Sequence, residues 1–244
     1  MFTLCIPTMN RFDTFLYKNL KKYNKINLID EIVISDENGE DIRKIKNSDL
    51  DLTKIKMFQN ETRLGPFLNK IECCKHAMNE WIVLMDSDNL APPNYFETAK
   101  NYIESNSLSG LYILSPSWAQ PNFDYRKLEG MIYKRGDFLK NRIEVRKRKT
   151  KCIECCMNTG NYVINKNIFE KLNLKGEEKN IKMSSACDVI YFNTLVFEQT
   201  DTQFHIVKDL YYEHVVHKGS IYNQTHTQYP RFNNQVHNRY RNLK

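Results

Sequence analysis

The stretch Trp81-Ile82-Val83-Leu84-Met85-Asp86-Ser87-Asp88-Asn89 decides how this 244-residue chain is read. Its apolar run, Trp81 to Met85, is strand-length and falls well short of the roughly 20 residues a membrane-spanning helix needs. An unbroken apolar run marks a strand covered on both faces, as in a parallel sheet flanked by helices. The run ends in two carboxylates at i and i+2. Placed on a loop leaving a buried strand, such a pair can share one divalent ion. Magnesium and manganese favour oxygen donors and complete their shells with water and substrate phosphate. The plainer alternative is a solvated turn whose aspartates cap the helix that Pro92-Pro93 opens.

Outward from this strand the pattern repeats. Phe2 to Ile6, Ile29 to Ser35, Ile55 to Gln59 and Leu108 to Leu114 are further strand candidates. Helical spacing of apolar residues runs through Phe12 to Tyr23, Asn69 to Met78 and Asn94 to Glu104. Strands interleaved with helices predict an α/β fold with a mainly parallel central sheet. Beyond residue 115 the pattern is less regular, with a strand at Gly160 to Ile164, a helix at Asp188 to Phe197 and a last strand at His205 to Leu210. We expect one domain over 1–244, with a regular first half (1–115), a less regular second half (116–223) and a basic polar tail (224–244).

In open α/β sheets, ligands bind beyond the carboxyl ends of the strands. Three polar clusters follow three separate strands: Pro7-Thr8-Met9-Asn10-Arg11, Asp36-Glu37-Asn38 and Asp86-Ser87-Asp88. The fold alone would bring them to one crevice.

These segments, in this order, resemble the GT-A-fold glycosyltransferases of the inverting family 2. Leu4 to Arg11 is similar to the family's opening strand and Pro-Thr-x-Asn-Arg loop, and Ile29 to Gly39 to its second strand and acidic turn. Asn60 to Asn69, with Arg63-Leu64-Gly65-Pro66, resembles its Gly-containing segment, and Trp81 to Asn89 the strand that delivers the metal-binding Asp-x-Asp. The resemblance implies a Rossmann-like GT-A domain that moves a sugar from a nucleotide diphosphate sugar to a hydroxyl acceptor with inversion, aided by Mn or Mg. It implies that Pro7, Thr8, Asn10, Arg11, Asp36 and Arg63 contact the donor, with the Asp36 carboxylate on the base, and that Asp86 and Asp88 hold the metal. Ser35 stands where the family often has a first aspartate.

Inverting transfer is a single displacement, and the attacking hydroxyl must lose its proton as the diphosphate leaves, so it needs a base. By the resemblance this is Asp188, opening a helix about a hundred residues after the Asp-x-Asp, with Glu177 and Glu178 as rivals. The plainer reading of Asp188 is a helix N-terminal aspartate complementing the dipole. The same resemblance makes His217, ahead of Lys218-Gly219-Ser220, a metal contact, with His214 in reserve and Lys218 on phosphate.

The net charge of +7, from 36 basic and 29 acidic residues, calls for an anionic partner. Much of the excess lies in Tyr133 to Lys151, where nine residues are Lys or Arg. We assign that run to the acceptor side, facing a glycan or a lipid-linked acceptor on an anionic membrane surface. No nucleic-acid-binding motif surrounds it, so nucleic acid is not expected as a partner. The seven unevenly spaced cysteines fit reduced thiols in a cytoplasmic protein, and no signal peptide is expected at the N-terminus. Cys152-x-x-Cys155-Cys156 has no second Cys/His pair at finger spacing, and Cys73-Cys74 are ill placed for joint ligation, so a structural zinc is not expected. Two other functions fit the same residues. A sugar-nucleotide nucleotidyltransferase would need a Gly-rich phosphate loop, which Pro7 to Arg11 lacks. A non-catalytic sugar-nucleotide or glycan-binding module would leave Asp188 as a cap alone.

Overall fold

A computed structural model describes residues 1–137, 160–220 and 225–243. Four strands, β1 (Phe2–Thr8), β2 (Ile29–Asp36), β3 (Ile55–Gln59) and β4 (Trp81–Leu84), pair in parallel in the order β3-β2-β1-β4. The sheet continues through β5 (Tyr112–Gln120) with its hairpin partner β6 (Phe123–Asp124), then β7 (Ile132–Tyr133), β8 (Val163–Asn165) and β9 (Gln203–Glu213). Strand β8 lies between β4 and β5 and is antiparallel to both, so β5 points with β4, and β9 pairs with β5 in parallel. The longer strands therefore share one direction, and their carboxyl ends meet along one edge. The mainly parallel α/β sheet expected from the unbroken apolar runs is present.

Side-chain alternation along these strands divides the core in two. Phe2, Leu4, Ile6, Trp81 and Val83 face the layer of α1 (Tyr17–Tyr23), where Leu20 and Tyr23 are buried. The short α2 (Glu40–Lys46) begins after Gly39, whose φ of +79° only glycine adopts freely. On the opposite face, Cys5, Val33, Ile82 and Leu84 pack under α3 (Gly65–Lys75). α4 (Pro93–Ser105) returns to the first layer through Tyr95, Phe96 and Ala99. Two short helices, α5 (Asn167–Lys171) and α6 (Glu178–Met183), lead to α7 (Asp188–Gln199). Helix α7 is buried continuously from Ile190 to Phe197, as a helix apolar around most of its circumference must be. Its cover is α8 (Pro230–Arg241), with Phe232, Val236 and Tyr240 buried at i, i+4 and i+8. The Phe232 ring meets Tyr191 at 5.5 Å. The 224–244 stretch, polar and basic in composition, thus carries an amphipathic helix whose apolar stripe is sparse between Asn, His and Arg.

Two further boundaries differ from the sequence reading. The strand expected at 108–114 runs over Tyr112–Gln120, its register shifting between Pro116 and Trp118 as a proline in a strand requires. The helix expected from Asn69 starts at Gly65, with Pro66 in its first turn. Among the described residues, no helix is long and apolar enough to cross a membrane. Most of the basic run and the Cys152-x-x-Cys155-Cys156 motif lie outside the described residues. Cys5, Cys73, Cys74 and Cys187 are free thiols and buried.

Candidate active site

A cavity of about 530 Å³ opens where β1 and β4 end. Thr8, Asp86, Asp88 and Asp188 all line it, so three segments far apart in the chain meet there.

The Asp-Ser-Asp loop is held from several sides. The Asp86 backbone N–H donates to Asn161 Oδ1 (2.6 Å), and Asn161 Nδ2 donates back to Asp86 Oδ2 (3.0 Å). Beneath the loop, buried Asn19 on α1 donates to the carbonyls of Ser87 (3.3 Å) and Asn89 (3.0 Å). Asn89 Oδ1 in turn accepts the N–H of Val215 (2.9 Å), tying the loop to the segment after β9. His217 on that segment sets its Nε2 2.9 Å from Asp88 Oδ2, with its ring against Phe15 at 5.0 Å. Burial and the neighbouring Asp86 charge raise the Asp88 pKa, against the opposing pull of His217 and Arg11.

Asp188 sits at the first turn of α7, 15% exposed. Its partner is Lys70 on α3, whose Nζ lies 2.9 Å from Asp188 Oδ2 and 3.1 Å from Asp86 Oδ1. Burial disfavours the ammonium, but the two aspartates outweigh it and raise its pKa. One lysine thus joins the aspartate after β4 to the aspartate opening α7. Nothing in the local pattern singles out Lys70, which follows Asn69 as one more polar residue of an amphipathic helix.

On the β1 side the Thr8 hydroxyl donates to Asp41 Oδ2 (2.6 Å). The same carboxylate accepts the N–H groups of Arg11 and Phe12 (2.8–3.0 Å). Asp41, 1% exposed on α2, is therefore the keystone of the Pro7 to Arg11 loop, and sequence reasoning passed over it. Arg11 reaches across to donate to the Gly219 carbonyl (2.7 Å). Asp36 is fully buried, and its carboxylate accepts the N–H groups of Asn38 (3.2 Å) and Ile42 (3.0 Å). It does not line the cavity; Glu37, the next residue, does, accepting the Leu64 N–H (2.8 Å). Burial raises the pKa of both carboxyls. Ser35 donates to Asn69 Oδ1 (2.6 Å) and so helps fasten α3 to β2. Pro7, Arg11 and exposed Arg63 line the cavity, while Asn10, bonded to Asn38 (3.0 Å), and exposed Lys218 do not.

The rival bases are elsewhere. Glu177 bonds Arg239 (2.9 Å), Asn180 (2.6 Å) and the Tyr191 hydroxyl, and these partners overcome the effect of burial and bring its pKa down to about 2. It serves the α6–α7–α8 junction, and neither it nor Glu178 lines the cavity. His214 lines the same cavity with Phe123 and Tyr125 and meets Asn122 (3.0 Å); burial lowers its pKa against the opposing charges of Asp86 and Asp88.

Among the described residues no three His, Cys, Asp or Glu side chains form a closed metal cage. The donor set suits an open site instead. Asp88 Oδ2 and His217 Nε2 are 2.9 Å apart, the separation of adjacent ligands on one octahedral ion with bonds near 2.1 Å. Asp86, whose negative charge destabilises ionised Asp88, stands beside them.

A sequence model described as "Glycosyl transferase family 2" matches residues 3–172. No curated protein matches the chain. Among solved structures, S. aureus TarS 1-349 in complex with UDP-GlcNAc superposes with a TM-score of 0.65 at 14% identity, over 100% of this chain and 67% of that one. TarS 1-349 on its own gives 0.58 at 17% identity, over 86% of this chain and 59% of that one. The mannosyltransferase PcManGT from Pyrobaculum calidifontis, in complex with GDP-Man and Mn2+, gives 0.53 at 16% identity, over 90% of this chain and 58% of that one. The full TarS structure is longer still, and this chain spans 38% of it. These likenesses establish the fold.

Proposed function

The chain belongs to glycosyl transferase family 2, and on that premise we propose that it transfers a sugar, with inversion, from a nucleoside diphosphate sugar to a hydroxyl acceptor. The observation that carries this reading is the meeting of Asp86, Asp88 and Asp188 in one cavity, the first and last joined through Lys70.

In this reading Asp188 takes the acceptor's proton. It is positioned by a buried helix rather than a loop, and a base within hydrogen-bond reach of the attacking hydroxyl contributes about 10²–10⁴-fold. Lys70 holds the Asp188 carboxylate toward the cavity. Asp88 and His217 hold a divalent cation, with Asp86 beside them. Bound there, manganese or magnesium offsets charge building on the departing diphosphate. The Pro7 to Arg11 loop, braced by Asp41, forms the nucleoside side with Glu37. Glu37 takes the base-facing role expected of Asp36, because the turn's own N–H groups occupy the Asp36 oxygens. Arg63 lies on the same side, and its charge acts on Glu37. The solved relatives in complex with UDP-GlcNAc and GDP-Man make nucleotide sugars the donors to test, UDP-sugars first.

The test uses the full chain. UDP with Mn2+ at about 100 times its dissociation constant stabilises the protein by roughly 2.7 kcal/mol. Asp188→Asn keeps that stabilisation and loses sugar transfer and donor hydrolysis at least about 100-fold. Asp88→Ala loses the Mn2+-dependent part of the stabilisation. An Asp188→Asn protein with wild-type turnover would overturn the assignment of the base, and binding without turnover in the wild type would mark a binding module.

A further inference from the structure

The segment after β9 runs along the cavity, with Val215, Val216 and Ser220 on its wall. Residues 214–220 form neither strand nor helix, and Val216 is 66% exposed. A stretch of that kind opens easily unless it is tied down. Its near end is fixed by the His214 N–H on the Gln120 carbonyl (2.7 Å) and by the Val215 N–H on Asn89. Past His217, Arg11 Nη2 donates to the Gly219 carbonyl (2.7 Å), across 208 residues of chain. A guanidinium bond to a carbonyl is charge-assisted and roughly twice as strong as a neutral one.

The backbone of Arg11 is itself fixed. Asp41 accepts its N–H, and its carbonyl accepts the N–H groups of Phe15 and Leu16 (both 3.0 Å) in the helical turn Phe12–Leu16 that leads into α1. The same turn sets the Phe15 ring against the His217 imidazole. The segment is therefore gripped at two points, the imidazole and the carbonyl two residues on. Gly219 fits this by its size. A Cβ there would stand 3.2 Å from His217 Nδ1 and 3.5 Å from Arg11 Nη1, so a side chain would press on both. The turn from His217 to Ser220, closed by the Ser220 N–H on the His217 carbonyl (3.2 Å), carries the hold on Gly219 back to the imidazole.

We propose that Arg11 is a positioning residue whose bond to Gly219 latches the 214–220 segment and holds His217 Nε2 toward Asp88. This rests on the reading of Asp88 and His217 as a cation site. A latch and a plain charge have opposite effects there. Arg11 carries the same sign as a bound cation, so removing a guanidinium that acted by charge alone would tighten cation binding. Removing a latch weakens it, because only the closed fraction of the segment offers His217 to the ion.

The experiment uses the full chain without nucleotide. Mn2+ binding is titrated through the free-ion electron paramagnetic resonance signal, and amide hydrogen exchange over 214–220 is followed by mass spectrometry. Arg11→Gln is expected to weaken Mn2+ binding roughly ten-fold, the effect of one lost charge-assisted hydrogen bond. It also raises exchange in 214–220 while exchange in β1 and α1 stays near wild type. His217→Ala weakens Mn2+ binding as well, and adding Arg11→Gln to it brings no further loss, since the latch acts through the imidazole. Unchanged or tighter Mn2+ binding in Arg11→Gln, equal losses with and without His217, or wild-type exchange in 214–220 overturns the proposal. No Mn2+ binding in the wild type, or binding by His217→Ala equal to it, overturns the cation site itself. Exchange in Arg11→Gln then decides the latch alone, which stands if exchange in 214–220 rises and is overturned if it does not.

Discussion

Replacing Lys70 by Met removes the charge that joins the two key aspartates while keeping most of the apolar stem. Its Nζ lies 3.1 Å from Asp86 and 2.9 Å from Asp188, and the three side chains are 16%, 32% and 15% exposed. At an effective dielectric constant of about 20, each such contact is worth roughly 5 kcal/mol before desolvation. Losing the burial cost of the ammonium offsets much of this, and removing one partner from a buried ionic set leaves a net loss of about 3–5 kcal/mol. Asp86 is the most solvated member, which places Lys70→Met near the lower end, at about 3 kcal/mol. For a chain of this size that lowers Tm by roughly 6–12 °C. Urea and thermal unfolding followed by circular dichroism measure it. The diagnostic control is Lys70→Met combined with Asp188→Asn. Neutralising one stranded carboxylate returns about 1 kcal/mol or more relative to Lys70→Met, so the two losses fall short of adding. A Lys70→Met protein within about 0.5 kcal/mol of wild type, or strictly additive losses in the double variant, would refute the idea that this lysine holds the pair together.

Other outcomes follow from the same geometry. Asp41→Ala strips the acceptor from the Thr8 hydroxyl and from two backbone N–H groups, which costs about 2–3 kcal/mol in chemical denaturation and raises the donor KM more than it lowers kcat. Gly160→Ala puts a Cβ 2.6 Å from Val189 Cγ2, beside Asp188, so kcat falls while UDP binding measured by thermal shift stays near wild type. Acidification destabilises the fold in two windows, read from unfolding midpoints against pH. Burial lowers the His205 pKa from 6.5 to about 4, so the unfolded state takes up a proton first and stability falls between those values. Glu177, drawn from 4.5 down to about 2, contributes stability above 4.5 that is lost as pH falls toward 2. Arg239→Gln removes the main partner of Glu177 and shrinks the second window alone.

Over the first hundred residues the strands and the three longer helices were legible in the sequence because apolar periodicity reports burial directly, whereas the short α2, which carries Asp41, was not. An unbroken run such as Trp81 to Met85 has one stable place, inside a sheet covered on both faces. Polar residues that end such runs must then gather at one edge, which is how Thr8, Asp86 and Asp88 were recognisable as neighbours. The family resemblance added Asp188, whose place at the head of a buried helix agrees with the structure. What tertiary structure alone decided is which of several chemically equivalent groups faces the cavity. Asp36 and Glu37 are adjacent carboxylates, and only the path of the turn into α2 commits the Asp36 oxygens to Asn38 and Ile42 and leaves Glu37 on the cavity wall. Glu177 and Asp188 are both acidic and lie close in the chain, but the packing of α8 puts Arg239 on the first, and α3 puts Lys70 on the second. The α8 stripe of Phe232, Val236 and Tyr240 is too sparse to stand out among its polar neighbours until α7 supplies the surface it covers. Periodicity encodes whether a residue is buried. The identity of an ionic or hydrogen-bond partner a hundred residues away depends on how whole elements pack, and no local pattern carries it.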